Sequence, residues 1–295
     1  MNGSLLALGT VQFGLPYGIA NQQGQVSPAE ARAIVDYART IGIDTLDTAV
    51  AYGSSEQRLG EIGVQTWKIV SKLPPIPTGT GNVGQWVRAS LERSLQLMRV
   101  RHLSALLLHQ PADLLGSNGA KLQRALLDVR EAGLIGKIGV SVYGPAELDG
   151  LVGRFPVEIV QAPFNVLDRR IVASGWLARL HDLGIEVHVR SVFLQGLLLI
   201  PRSARPAHFT RWQRIWSDWE EYLQASNQTP LEACLRFATS YPTIARIVVG
   251  IDSKLQLNQI FEAMQGETVS VPDLKCDDPF LLEPSRWNSP PPAAG

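Results

Sequence analysis

Eight short apolar runs, each separated from the next by a longer amphipathic stretch, restrict this chain to very few folds. In order they are Leu5–Leu8, Thr45–Asp47, Lys68–Ser71, Ala105–Leu108, Ile138–Val142, Glu158–Gln161, Glu186–Val189 and Arg246–Val249. Nearly continuous hydrophobicity, as opposed to alternation, marks parallel strands covered on both faces. The stretches between them carry helical periodicity at Pro28–Ile41, Ser55–Ile62, Val83–Met98, Ala120–Ala132, Pro145–Leu151, Val172–Leu183 and Leu255–Met264. Parallel neighbours need a crossover, and eight such βα units close a (β/α)8 TIM barrel of the α/β class.

Local signals agree with that rhythm. Ser27-Pro28-Ala29-Glu30 reads as a helix start, with a capping Ser, Pro in the first turn and Glu three residues on. Gly42, Gly133 and Gly184 stand where a left-handed helix end is wanted, directly before the next strand. Residues 1–287 form one barrel in this reading, and the Pro- and Ala-rich 288–295 a disordered tail. One long insertion, Pro201 to Ser240, interrupts the alternation between strands seven and eight. It places Trp212, Trp216 and Trp219 on one helical face. That stripe either covers the barrel mouth or is buried against the outside of the barrel, and burial is the favoured reading.

Composition removes several classes of function. Lys plus Arg and Asp plus Glu number 27 each, so the net charge is zero and no phosphate-binding surplus points to nucleic acid. Cys234 and Cys276 fit neither a disulfide framework nor a metal-ligand spacing, and no metal is expected. The N-terminus lacks the pattern of a secretory signal. Apolar runs such as Val192–Ile200 are far shorter than the roughly 20 residues of a membrane helix. The expectation is a cytoplasmic protein, a monomer or small homo-oligomer, acting on small molecules without a membrane partner.

A barrel of this kind builds its site at the C-terminal ends of its strands. Asp47 ends the second run and Tyr52 follows in the next loop, while Lys72 ends the third and His109 the fourth. A tyrosine donates a proton poorly at neutral pH, its ordinary pKa being about 10. A neighbouring ammonium favours the phenolate, and a carboxylate holds the ammonium in place. Tyr52, Lys72 and Asp47 supply those parts, and His109 can orient a substrate oxygen by a hydrogen bond. A carbonyl placed between Tyr52 and His109 would be polarised and then protonated.

On Asp47-Thr48-Ala49-x-x-Tyr52-Gly53, Ser71-Lys72-Leu73 and Leu107-Leu108-His109, the chain resembles the aldo-keto reductase superfamily, in a bacterial branch. The resemblance runs from Leu8-Gly9-Thr10 to about Met264. It implies Tyr52 as proton donor, Lys72 and Asp47 tuning it, His109 orienting the carbonyl, and hydride from a nicotinamide, usually that of NADPH. No Gly-x-Gly-x-x-Gly element is present; in the family the cofactor lies extended across the barrel mouth. Gly9 and Thr10 would contact it after strand one, and Ser141 and Gln161 would hold the nicotinamide amide, with Asn165 close by. Ser191, Gln195 and Gly196 would meet the pyrophosphate. Gly250, Asp252, Ser253, Gln256 and Gln259 would follow after strand eight.

Three positions depart from the family's pattern. Val142 stands where many relatives carry an Asn against the nicotinamide. Arg190 stands where many have an aromatic ring stacked on it, although a planar guanidinium can also stack. The Gly250–Gln256 segment lacks the Arg that grips the 2′-phosphate of NADP, and a carboxylate such as Asp252 near the ribose favours NAD. Ser253 and Lys254 could compensate. NADP(H) is expected from the resemblance, with NAD(H) close behind.

Phe13, Tyr17, Tyr143 and Phe193, with Gln110 behind His109, are the expected walls of a substrate pocket. The leading functional reading is an NADP(H)-dependent reductase converting an aldehyde or ketone, a sugar-derived carbonyl among the candidates, to an alcohol. Two alternatives stand beside it: a catalytically weak cofactor-binding sensor or partner subunit, and a redox-neutral sugar-modifying enzyme with a retained nicotinamide.

Overall fold

A computed structural model describes residues 5–266 and 270–287. Eight parallel strands form a closed barrel in sequential order: β1 (Leu6–Gly9), β2 (Thr45–Asp47), β3 (Lys68–Leu73), β4 (Leu103–Leu108), β5 (Ile135–Ser141), β6 (Ile159–Pro163), β7 (Glu186–Arg190) and β8 (Arg246–Gly250). Closure is made by β1 on β8, with Leu8 opposite Val249 and Gly9 opposite Gly250. The α-helices are α1 (Val11–Gly14), α2 (Pro28–Thr40), α3 (Ser55–Ile62), α4 (Val83–Met98), α5 (Gly119–Glu131), α6 (Ala146–Asp149), α7 (Arg170–Ala173), α8 (Trp176–Asp182), α9 (Gln213–Ser226), α10 (Pro230–Thr239), α11 (Lys254–Ala263) and α12 (Pro279–Leu282). Residues 288–295, read as a disordered tail, lie outside the described residues.

Alternation along each strand separates two cores. Val70, Ala105, Leu107 and Ile159 form a small buried cluster on the inward face, the face that carries Lys72 and Gln161. The residues between point outward into a much larger cluster under the helices. Ser27 caps α2 by accepting from the Glu30 amide, as its sequence pattern predicts.

Several boundaries differ from expectation, each for a local reason. β5 starts at Ile135, not Ile138, and ends at Ser141, leaving Val142 in the loop. Gly136 sits where an added Cβ would come 2.8 Å from the Ser104 carbonyl oxygen, so a residue that resembles a turn is in fact a close strand contact. β3 runs on to Leu73 and takes Lys72 inside the strand. The long helix expected at Val172–Leu183 is broken into α7 and α8 by Gly175, whose φ of 78° is left-handed. The expected Pro145–Leu151 helix shrinks to the single turn of α6.

The insertion after β7 folds into short 3₁₀ turns followed by α9 and α10. Thr229 and Glu232 make a reciprocal capping box at the start of α10. Trp216 and Trp219 are buried, and their indole N–H groups donate to Phe209 O and Leu198 O. Half-buried Trp212 donates to Asp278. The stripe therefore packs against its own insertion and the C-terminal segment, and does not cover the barrel mouth. Among the described residues no helix is long and apolar enough to cross a membrane.

Candidate active site

The C-terminal ends of the strands surround a cavity of about 680 Å³. At its floor lies an ion pair taken almost entirely out of water. Lys72 is fully buried and Asp47 only 3% exposed. Lys72 Nζ donates to Asp47 Oδ1 at 2.6 Å and to Thr48 O at 2.9 Å. The second Asp47 oxygen accepts from Gln161 Nε2 at 2.7 Å. Such a pair is tolerated in a barrel interior only because both partners are matched and further hydrogen-bonded.

Tyr52 stands above this pair, with Lys72 Nζ 5.2 Å from its ring centroid. Its loop is pinned by backbone contact. A Cβ on Gly14 would fall 1.8 Å from Tyr52 O, and one on Gly53 would fall 2.5 Å from Gly14 O. Below the turn, Ser55 donates to Thr10, and Thr10 Oγ1 donates to Asp47 O at 3.0 Å. His109 follows β4, its amide held by Leu73 O, and its ring meets Tyr52 edge-on at 6.0 Å between centroids. Neither the Tyr52 hydroxyl nor the His109 ring has a hydrogen-bond partner among the described residues, and both residues line the cavity.

Burial, then the charges of Lys72 and Arg190, push the His109 imidazole down to about 4. Above its ordinary value of 6.5 the ring is neutral in both folded and unfolded chains. Between 6.5 and about 4 the folded state resists a proton that the unfolded chain accepts, so this group's contribution to stability is lost as pH falls through that window. An NMR titration of the His109 ring, assigned with His109→Asn, is expected to show a midpoint near 4; a midpoint near 6.5 would contradict a desolvated ring beside two cations.

The far side of the cavity is built by the loops after β1, β7 and β8. Ser191, Leu194 and Gln195 take φ values of 61°, 48° and 54°, a strained run at the cavity edge. The β1 loop ties both other loops together. Ile19 N donates to Gln195 O at 3.1 Å, Gln195 Nε2 to the Tyr17 hydroxyl at 2.9 Å, and Asn21 Nδ2 to Asp252 Oδ1 at 3.1 Å. Gly196 is required here, since a Cβ would meet Ala20 Cβ at 2.6 Å. Burial raises the Asp252 carboxyl above its ordinary value, opposed by Gln256.

Most residues singled out in the sequence line this cavity: Gly9, Thr10, Gln161, Arg190, Ser191, Gln195 and Gly196, together with Gly250, Asp252, Gln256 and Gln259. Tyr17, Tyr143 and Phe193 form part of its wall. Others are placed elsewhere. Phe13 is wholly buried on α1 and packs in the outer core, so it is not a pocket wall. Gln110 is exposed outside the cavity, carried off by the turn that starts at Pro111. Ser141 is buried beside Gln161 without lining the cavity. Asn165 spends its side chain on Ser191 O and on the Leu167 and Asp168 amides. Ser253 caps α11, and Lys254 lies over the Tyr37 ring.

Asn21 and Gln12 are among the lining residues that escaped the sequence reading. Asn21 belongs to an Asx turn, accepting from the Gln23 and Gly24 amides, and its spacing to Gly24 is a readable signal. Gln12 is a lone polar residue between Val11 and Phe13, 7% exposed, with Oε1 unpartnered. Glu56 was also missed. It is buried, accepts from Ser71 and Ser94, and joins α3 to β3 and α4.

Comparison with known proteins settles the family. Residues 5–271 match the model of the aldo/keto reductase family. The chain belongs to that family. It is 23% identical over 314 residues to an L-glyceraldehyde 3-phosphate reductase of Escherichia coli K12, covering 91% of this chain and 89% of the relative. An aldo-keto reductase of Mycolicibacterium vanbaalenii is 31% identical over 137 residues, covering 44% and 47% of the two chains. In fold, the chain resembles the holo form of an aldo-keto reductase from Bacillus halodurans, with a TM-score of 0.71, 19% identity, and 92% and 89% coverage. A putative aldo-keto reductase from Pseudomonas aeruginosa gives a TM-score of 0.65 at 22% identity, with 88% and 89% coverage. This member of the aldo/keto reductase family is an oxidoreductase of carbonyl compounds, and the family generally uses a nicotinamide nucleotide.

The residues present fit such a nucleotide. Gln12 Oε1 is a buried acceptor without a donor on the cavity wall. Beside it Gly250 leaves a space that a Cβ would close, 2.5 Å from Gln12 Nε2. Gln161 has its amide nitrogen committed to Asp47 and its carbonyl oxygen left for an N–H donor.

Proposed function

We propose that this chain reduces an aldehyde or ketone to an alcohol, with Tyr52 as proton donor and His109 orienting the carbonyl. The observation that carries this reading is the pair of unpartnered polar groups, the Tyr52 hydroxyl and the neutral His109 ring, facing one cavity above the buried Lys72–Asp47 pair. A bound reduced nicotinamide supplies the hydride. Tyr52 gives its proton to the former carbonyl oxygen and is left as phenolate. The Lys72 ammonium, with one N–H beyond those given to Asp47 and Thr48, faces that negative charge. Asp47 holds Lys72 in place. The tyrosine then regains a proton from solvent. Oxidation of reduced nucleotide, monitored at its nicotinamide absorbance with a panel of aldehydes, tests the reading; no turnover with any of them would count against it.

Gly9, Gln12, Gln161, Ser191, Gln195, Gly196, Gly250 and Gln256 are the residues proposed to hold the nucleotide. NADP(H) is the form that the family resemblance implies, but Asp252 supports NAD(H). It lines the groove, and Lys254 is turned onto Tyr37. A carboxylate accepts from a ribose hydroxyl and repels a phosphate. The expected result is tighter binding of NADH than of NADPH by the wild type, with the order reversed in Asp252→Arg. Equilibrium fluorescence titration of both nucleotides checks this, and tighter NADPH binding by the wild type would refute it.

A second reading is favoured by the β1 loop, whose ties to Gln195 and Asp252 bridge the groove. A nucleotide retained beneath it would suit redox-neutral chemistry, in which the cofactor is reduced and reoxidised within one cycle. Purified protein carrying stoichiometric nucleotide, and forming product without net change in absorbance, would select this reading.

A further inference from the structure

Arg190 is the cation at this site that the proton-transfer groups do not use. It ends β7 and lines the same cavity as Tyr52 and His109. Its guanidinium is held firmly: Nη2 donates to Val142 O at 3.0 Å, Nη1 to Ser191 Oγ at 3.3 Å, and Cζ lies 5.1 Å from the Tyr143 ring centroid. Of the five N–H donors of an arginine, three have no acceptor among the described residues.

No carboxylate pairs with Arg190 among the described residues. The two acids lining the cavity are engaged elsewhere, Asp47 by Lys72 and Gln161, and Asp252 by Asn21. His109 adds no negative charge and is itself held neutral, partly by Arg190. Arg190 therefore stands in the reaction chamber as a cation without an ion-pair partner, while the Asp252 carboxylate, held by the neutral Asn21 amide, lies at the loop after β8. A planar, fixed guanidinium is suited to carboxylate or phosphate oxygens, and its partial desolvation is offset only when an anion arrives.

We propose that the substrate is an anion, a carbonyl compound bearing a carboxylate or phosphate group, and that Arg190 is the residue that selects it. This rests on the reading of Tyr52 and His109 as the place of the carbonyl. The competing roles for Arg190 are a contact with the nucleotide, which its place in the sequence suggests, and a mechanical one, tethering the β5 loop through Val142 and Tyr143.

The test compares kcat/KM, at saturating reduced nucleotide, for 4-carboxybenzaldehyde against benzaldehyde and for glycolaldehyde phosphate against glycolaldehyde. Wild type, Arg190→Gln and Arg190→Lys are measured. Loss of a charge-assisted hydrogen bond is expected to cut the anionic-to-neutral ratio roughly 10- to 100-fold in Arg190→Gln. The loss should fall mainly on KM, with partial retention in Arg190→Lys. A response in only one substrate pair identifies the anion as carboxylate or phosphate. A ratio unchanged by substitution, or equal losses for charged and neutral aldehydes, overturns the proposal in favour of the tether or the nucleotide contact. If neither kind of aldehyde is reduced, the reductase reading fails. Calorimetry of 4-(hydroxymethyl)benzoate against benzyl alcohol, on protein loaded with oxidised nucleotide, then decides separately. Carboxylate binding that disappears in Arg190→Gln sustains the anion site, and equal binding by both proteins overturns it.

Discussion

Tyr52→Phe is expected to lower kcat for aldehyde reduction by roughly 10²- to 10⁴-fold, the range for removing a positioned proton donor. Nucleotide affinity and thermal stability should stay at their wild-type values. The hydroxyl has no partner among the described residues, so its loss leaves no buried group unsatisfied, and the ring keeps its edge contact with His109 and its place above Lys72. Steady-state kinetics alongside a fluorescence titration of the nucleotide separates the two effects. A loss below about tenfold would remove Tyr52 from the role of principal acid. A parallel collapse in nucleotide affinity would instead make it a binding residue.

Asp47→Ala is expected to destabilise the fold by about 3–5 kcal/mol, because the Lys72 ammonium would remain buried without a counter-charge. Gln161 Nε2 would lose its acceptor at the same time. Replacing both partners, Asp47→Leu with Lys72→Met, should recover most of that loss, since an apolar pair of similar volume carries no buried charge. The double variant should nevertheless remain inactive, having neither the ammonium nor the carboxylate that holds it. Urea unfolding midpoints and aldehyde turnover measured on the same samples check the pair. If the double variant is as unstable as the single one, packing and not charge sets the requirement at this floor.

The strands were legible because each is an apolar run buried on both faces, and the proton-transfer residues because they are the polar groups that terminate such runs. Asp47, Lys72 and His109 lie at or within one residue of the ends of consecutive strands, so one-dimensional position translates directly into proximity in a closed barrel. Residues whose role depends on where a loop turns were not legible in this way. Phe13 and Gln110 both follow strands, yet α1 directs one into the core and the turn at Pro111 carries the other off the cavity. The bridge from Asn21 to Asp252 spans 231 positions of chain and leaves no periodic trace. Gly175 and Gly136 illustrate the same limit. One glycine breaks a helix and the other fits a crowded strand, and only neighbouring backbone distinguishes them.

The backbone contact between Gly14 and the Tyr52 turn has a consequence for how this enzyme can change. The atoms nearest to an added Cβ are backbone on both sides, Tyr52 O at Gly14 and Gly14 O at Gly53, so a substitution there has little slack to absorb it. Laboratory evolution toward new substrates should therefore find both glycines closed to variation. Accepted changes should collect instead at wall positions such as Tyr17, Tyr143, Leu231 and Ser285. If Tyr52 is the proton donor proposed above, donor and wall positions are separate in this fold, and a library that varies the second while fixing the first should keep its chemistry as it acquires new scope.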